Sequence, residues 1–370
     1  MSITSKERVG RLLTGRKADR IGKAEAPWPH TVRRWHEEGL AEGVHPADFF
    51  GMDMGLMVNI DSSFGLPSRT VEETDEFILT RDNNGVLVKH WKDEHGIPAP
   101  IEFSIRSRED WNRLRERLAA NEHRCTWGRY GDYFNSYEKV SCETLAQAVQ
   151  TSREIARKFF LLHTPDPYEA TMARVGDETL LVWMATEPKL VNEMFDAHAT
   201  LVCNQVESLH RRGIRADGIF VGGDIAYKNG LMFSPAMYRA LLFPHHKRMF
   251  HTFHECGLRV IYHSDGRVTE AVPMLIEAGI DCLQPMEVQA GMDVGQLADA
   301  FGRQISFMGN VSVKALSSSK DEAVREARRR IRAGKTARGY IFHSDHSLPP
   351  TVSFENYQAV MEVVDEEGGY

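Results

Sequence analysis

From residue 157 onward the chain alternates short apolar runs with longer amphipathic stretches. The runs are Phe159–His163, Gly218–Gly222, Leu258–His263, Asp281–Pro285, Ile305–Gly309 and Gly339–His343. Helix-period patterns lie between and after them, at Glu187–Arg212, Pro235–Cys256, Arg267–Ala278 and Asp321–Ala333. Pro235 follows Ser234, which pairs a helix N-cap with proline at the first helical position. Gly257 and Gly279 fall where two of these helices should stop. Strands that alternate with helices predict a parallel sheet with crossover connections. Two more strand-like runs, Arg20–Ala26 and Leu56–Ile60, bring the count to eight, the number in a closed (β/α)8 barrel. An open doubly wound sheet is the alternative. No Gly-x-Gly-x-x-Gly follows an early strand, which argues against a dinucleotide site.

Residues 1–150 are less regular. They predict a helix over Lys6–Leu13, a Pro27-Trp28-Pro29 break, and a helix over His30–Glu38 that stops at Gly39. Phe77–Arg81 and Val86–Trp91 flank Asp82-Asn83-Asn84-Gly85, a strong hairpin signal. Ser107 is placed to cap a helix running to Leu118. Trp28, Trp35 and Trp91 read as core or lid residues. The whole is expected to be one domain over 1–370. It is an α/β chain, a (β/α)8 TIM-type barrel with an elaborated N-terminal segment over 1–150 and regular units over 151–370.

Composition narrows the function. Of 370 residues, 42% are hydrophobic and 26% charged, the balance of a soluble globular chain. No apolar run approaches the ~18 residues of a membrane span. The opening Met1–Arg8 is polar and lacks an apolar signal core, so a cytoplasmic setting is expected. The net charge of -7, with no dense Lys/Arg block, argues against a nucleic-acid partner. Five cysteines without a CxxC argue against a disulfide framework or a thiolate zinc knuckle. The 16 histidines are the unusual count, and imidazole suits both metal binding and proton transfer.

Polar residues gather where strands should end, the place of chemistry in a barrel. Asp224, Tyr227, Lys228 and Asn229 follow one strand; His263 and Asp265 follow the next. Glu287, then Asn310, then His343, Asp345 and His346 follow the last three. In extended chain, residues i and i+2 share a side, so His263 and Asp265 aim together, as do His343 and Asp345. Imidazole and carboxylate are good zinc ligands, and an open catalytic site needs about three. The plainer reading makes them hydrogen-bond partners of loop amides. Gly222-Gly223 before Asp224 would let a ligand approach the backbone closely, or Asp224 could cap its own turn. Glu287 fits a base, a ligand or a salt-bridge partner of Arg267. His245, His246, His251 and His254 lie within a helix without an HExxH frame and read as packing or surface.

At these loops the sequence resembles the uroporphyrinogen decarboxylase superfamily, over nearly the whole chain. The carriers are Gly223–Gly230, Ser234-Pro235, Tyr262–Gly266, Gly309-Asn310-Val311, Asp345–Pro350 and Ser353–Tyr357. N-terminal matches are Trp28–Thr31, Trp35, Glu38-Gly39-Leu40, Phe103 and Arg108–Trp111. The resemblance implies a (β/α)8 barrel and one of two chemistries. One is cofactor-free decarboxylation of uroporphyrinogen. The other is zinc-dependent methyl transfer to or from a corrinoid protein.

Decarboxylases of this family grip substrate carboxylates with Arg-Gln-Ala-Gly-Arg-Tyr, whereas the comparable place here reads Pro29–Trp35. His346 still matches the late histidine of the decarboxylases. The methyltransferases hold zinc with His-x-Cys and a later Cys, positions that become His263, Asp265 and His346. Two thiolates are replaced, so the implied site is a harder Lewis acid for zinc or another divalent metal. That suits polarising an ether oxygen, and the implied activity is an O-demethylase-type methyltransferase working with a corrinoid protein. In that reading Asp265, His346, Glu287 and Asp345 serve catalysis, as ligand orienters or proton donors. Asp224, Tyr227, Lys228, Asn229, Asn310 and His343 bind a small substrate. A cofactor-free decarboxylase of uroporphyrinogen or a related acid is the alternative, and a non-catalytic binding barrel is the third. Dimers common in the family make a homodimer an expectation.

Overall fold

The computed structural model describes residues 3–92, 98–132, 137–152, 155 and 157–370; Met1 and Ser2 of the polar opening lie outside them. Among the described residues eight parallel strands carry the molecule: β1 (Gly22–Lys23), β2 (Met54–Ile60), β3 (Phe159–Pro165) and β4 (Gly218–Gly222), then β5 (Arg259–Ser264), β6 (Cys282–Pro285), β7 (Ser306–Met308) and β8 (Tyr340–Phe342). Their order is β1-β8-β7-β6-β5-β4-β3-β2. Strand Cys125–Arg129 adds antiparallel to the outer side of β2. This is a mixed α/β fold.

The strands are apolar on both faces, as buried parallel strands must be. Alternation then sorts them into two cores. In β3, Phe159 and Leu161 join one cluster, with Met54, Met57, Ile261, Cys282, Met308 and Ile341 from five other strands. Phe160 and Leu162 join the other and larger cluster, beneath the crossover helices. Helix Ser5–Leu13 puts Val9, Leu12 and Leu13 against the smaller cluster and so covers one end of it.

β1 and β2 stand at the two ends of the strand order, and Asp53 joins them. Its N–H donates to the Lys23 carbonyl at 2.8 Å, and its Oδ2 accepts the Lys23 N–H at 2.9 Å. The same buried carboxylate accepts from Ser5 Oγ (2.6 Å), Arg8 Nη1 (2.8 Å) and Arg20 Nη1 (2.8 Å). One side chain thus ties the N-terminal helix to both end strands.

Several elements differ from the sequence reading. The run Arg20–Ala26 is strand only at Gly22–Lys23. The expected helix Pro235–Cys256 is broken into Pro235–Met237, a widened π-type turn at Tyr238–Leu242, and Phe243–Glu255. Pro244 has no N–H to offer the preceding turn, and its ring crowds that turn's carbonyl, which accounts for the widening. The helix expected from Arg267 begins at Val272, where Pro273 fixes its first turn. Helices Pro167–Val175, Asp177–Thr186 and Phe354–Glu367 were not foreseen. The Phe77–Trp91 hairpin forms, within a four-stranded antiparallel sheet that adds Arg69–Glu73 and Ala99–Glu102. Ser107 caps helix Arg108–Leu114 as expected. Trp35 is buried in the core, while Trp91 is exposed. Among the described residues no helix is long and apolar enough to cross a membrane.

Removing one partner from a buried, multiply bonded ion pair leaves its cations uncompensated, at a cost of about 3–5 kcal/mol. Asp53→Ala should therefore lose about that much stability in urea unfolding. A loss below ~1 kcal/mol, the range of an exposed pair, contradicts the role given to Asp53.

Candidate active site

The carboxyl ends of the strands converge on a cavity of about 280 Å³. Its walls include Met57 from β2, His163 from β3, Phe220 and Gly222 from β4, His263 from β5 and Gln284 from β6. Asp265, His343, His346, Glu169, Asp132, Tyr130 and Ser347 add to the polar lining. Among the described residues that line it, none is Lys or Arg. The i, i+2 rule holds for β5: His263 and Asp265 both face the cavity.

Asp224, His263 and Asp265 each offer one ligand atom, and these atoms all lie within 4.8 Å of one another. His263 Nε2 stands 3.5 Å from Asp224 Oδ1. Its other nitrogen, Nδ1, donates to Gln284 Oε1 at 2.5 Å. That bond fixes the tautomer and leaves the Nε2 lone pair for the cavity, the usual outer-shell arrangement of a metal-binding histidine. Asp265 N–H donates to Asp224 Oδ1 at 2.8 Å and locks the two loops in register. Asp265 Oδ1 is buried with no hydrogen-bond partner. Burial disfavours the His263 imidazolium, but Asp265, Asp224, Gln284 and Glu169 outweigh it and raise its pKa. Burial raises Asp265 too, with His263 opposing and Asp224 reinforcing.

The third member of this cluster is Asp224, where the sequence reading put His346. His346 sits at the mouth, 53% exposed, with Nε2 3.5 Å from Asp265 Oδ2. It adjoins the cluster without completing it.

Other assignments need correction. Tyr227, Lys228 and Asn229 form the exposed tip of a short hairpin, Ala226–Tyr227 with Gly230–Leu231, and do not line the cavity. Asn310 is fully buried, and its amide is committed: it donates to Met286 O and Met292 O and accepts from Val294 N and Arg330 Nη1. It cannot meet a substrate. Asp345 accepts the N–H groups of Val288 (2.9 Å) and Val313 (2.8 Å), and Glu287 accepts that of Gly266 (2.9 Å). These carboxylates hold loops, the plainer role weighed above. His343 does line the cavity; its Nδ1 donates to Ser344 O and its buried Nε2 has no hydrogen-bond partner.

Gly222 and Gly223 make room for neighbouring side chains. A Cβ on Gly222 would lie 2.9 Å from Glu169 Oε2. One on Gly223 would lie 2.4 Å from Tyr262 Oη and 2.5 Å from Asp166 Oδ2. Behind them runs a buried polar chain. Tyr238 Oη donates to His246 Nδ1, and His246 Nε2 and Tyr262 Oη donate to Asp166 Oδ2 at 2.9 and 3.0 Å. Asp166 Oδ1 accepts the Glu169 N–H at 2.8 Å and so starts the helix that carries Glu169. His246 is the packed residue the sequence suggested, but its packing is against the site.

Sequence reasoning missed Glu169, His163, Gln284 and Glu25. His163 and Gln284 are polar residues at strand ends, so the rule that found His263 could have found them. Glu169 lies on an unforeseen helix. Burial pushes its carboxyl up to about 8, helped by Asp224 and Asp166 and opposed by His263. Burial, with His263 adding, pulls the His163 imidazole down to about 3. Burial therefore favours the neutral form of both groups in the metal-free cavity.

A polar pocket at the carboxyl edge of a parallel sheet is where α/β enzymes bind and transform their ligands. Residues 170–367, more than half of the chain, match the family profile "Uroporphyrinogen decarboxylase (URO-D)", and the chain belongs to that family. Its fold is shared by a methyltransferase from Methanosarcina mazei, at 14% identity and a TM-score of 0.62 over 99% of each chain. A Xaa-Pro dipeptidase with bound methionine aligns at 12% identity and a TM-score of only 0.33, over 85% of this chain and 73% of its own. No curated protein matches the chain.

The raised Glu169 carboxyl has a stability consequence. Between its unfolded value near 4.3 and about 8, the native state holds a proton that the unfolded state has lost. Glu169 alone thus lowers the stability of the metal-free protein as pH rises from ~5 to ~8; below ~6.5 the depressed His163 acts in the opposite direction, so the Glu169 slope is read above neutrality. Glu169→Gln should flatten that slope in urea titrations; parallel curves for the two proteins contradict the assignment.

Proposed function

We propose that the chain is a divalent-metal-dependent methyltransferase, on a closed (β/α)8 barrel, that passes the methyl group of an O-methyl substrate to a corrinoid protein. The observation that carries the reading is the Asp224–His263–Asp265 cluster with the unpartnered Asp265 oxygen at its edge. One imidazole and two carboxylates are a donor set for zinc or a comparable divalent ion, so the residues fit the group. When bound, such an ion supplies Lewis-acid polarisation of a substrate oxygen.

The chain's own residues do the rest. Asp224, His263 and Asp265 would hold the ion, and Gln284 keeps the His263 Nε2 lone pair turned toward it. Glu169 stands in the wall of the same cavity, placed to exchange a proton with a leaving oxygen. His346 at the mouth is placed to exchange protons with solvent beside Asp265. The acceptor, a corrinoid protein, follows from the family resemblance, and the M. mazei methyltransferase of like fold agrees with methyl transfer. The expected homodimer and cytoplasmic setting belong to the same proposal.

The absence of Lys and Arg from the described lining of the cavity disfavours the decarboxylase reading. The catalytic cavity itself, about 280 Å³, is at the small end for ligand sites. Its described lining has no Lys or Arg to meet an octacarboxylate, and buried charge without a partner is costly.

Elemental analysis of purified protein should find about one divalent metal per chain, as a three-ligand site requires. His263→Ala and Asp224→Asn should lose it, and with it demethylation of an O-methyl substrate with cob(I)alamin as acceptor. A metal-free protein of full activity overturns the reading. Gln284→Ala should keep the fold yet bind metal about 10–100-fold more weakly, the usual effect of removing an outer-shell partner. Unchanged affinity would show that Gln284 does not orient His263.

A further inference from the structure

A second cavity, of about 360 Å³, adjoins the first. The segment Tyr130-Gly131-Asp132 lines both and forms their common wall. The second chamber lies against the connection from β1 to β2 and the last helix. Its faces include Val32 and Trp35 of helix Pro29–Glu37, Phe50, Met52 and Tyr357. The rings are locked together. Trp35 stacks on Tyr357 with centroids 4.9 Å apart, and Phe50 stands edge-on to Tyr357 at 5.0 Å and to Trp35 at 6.0 Å. The chamber wall these rings make with Val32 and Met52 is apolar and fixed, which favours a flat apolar body that loses little freedom on packing against it.

Charge sets the same limit. No Lys or Arg is among the described residues that line this chamber. Glu25 reaches it from the end of β1, but its carboxylate is already engaged. It accepts from Ala26 N (3.0 Å), Ser344 N (3.1 Å), Ser344 Oγ (2.7 Å) and Tyr357 Oη (3.4 Å). The remaining polar pair is His45 and Asp132, each a third exposed and 3.0 Å apart. His45 Nδ1 accepts the Ala47 N–H at 3.1 Å, so Nε2 carries the hydrogen that reaches Asp132. Asp132 thus remains an acceptor at the rim, where a ligand hydroxyl would find it. An anion would meet two carboxylates and no cation.

We propose that this chamber binds a neutral, flat hydrophobic ring system bearing a hydroxyl. It would hold the non-reacting part of a substrate whose reacting end lies beyond Tyr130–Asp132, in the catalytic cavity. Only this second step rests on the proposed function; the binding of the ring stands without it. Val32 and the three rings then select substrates by shape, at a distance from the chemistry.

The test uses 2-naphthol, titrated into the full chain and followed by tryptophan fluorescence and calorimetry. Saturable binding at one site is expected. Val32→Trp fills the chamber and should weaken binding about tenfold or more, since overfilled apolar sites do not readily expand. Val32→Phe, gentler on the fold, should weaken it to a lesser degree and serves if the Trp variant melts early. Asp265→Asn, which lines only the catalytic cavity, should bind 2-naphthol like the wild type. No saturable binding by the wild type overturns the proposal. So does a loss in Asp265→Asn with none in the Val32 variants, because the ring would then occupy the catalytic cavity. A protein without metal that still shows the expected titration would sink the methyl-transfer reading and leave this one standing.

Discussion

The site depends on carboxylates that accept backbone N–H groups from the loop beside them. Asp224, after β4, takes the N–H of Asp265 after β5. Glu287, after β6, takes that of Gly266. Asp345, after β8, takes those of Val288 and Val313, from the loops after β6 and β7. Glu25, after β1, takes that of Ser344 after β8. A hydrogen bond to a charged acceptor contributes about 1.5–3 kcal/mol, roughly twice a neutral one. Stitched this way from β4 round to β1, loops that would otherwise move are held in register. At the opposite edge Asp53 does the same for the two end strands.

That stitching decides which acids remain for chemistry. Glu287, Asp345 and Glu25 are spent on loop amides. Asp224 is spent on one oxygen, and that bond sets it beside His263. Asp265 keeps a buried oxygen with no partner, and burial pushes the Glu169 carboxyl up. Burial without a partner is costly, and a site tolerates it where a ligand restores what is missing. The Tyr238–His246–Asp166–Tyr262 chain supports this from behind. It lets a helix start at Asp166 and present Glu169, while Gly222 and Gly223 leave the space it needs.

Much of this was legible in the sequence, for identifiable reasons. Strands buried on both faces write continuous apolar runs, so β3 to β8 and their order along the chain were plain. The period of two put His263 and Asp265 on one side. What the sequence hid was partnership across the rim. Nothing in a run of residues tells that Asn310 and Asp345 spend their polar atoms on neighbouring loops, or that Tyr227, Lys228 and Asn229 turn outward. Glu169 was invisible because its short helix follows β3 through Pro165-Asp166-Pro167, which reads as a break and acts as a cap. The π-type turn at Tyr238–Leu242 was hidden for a related reason: Pro244 was read within a helix that it in fact widens.

The central claim is that one imidazole and two carboxylates, with no thiolate, make this family member's metal site. X-ray absorption at the metal edge of zinc-loaded protein measures that donor set directly. The account predicts a shell of nitrogen and oxygen at about 2.0–2.2 Å with the outer scattering of one imidazole, and no sulfur. A sulfur shell near 2.3 Å, or spectra unchanged by His263→Ala, would contradict it.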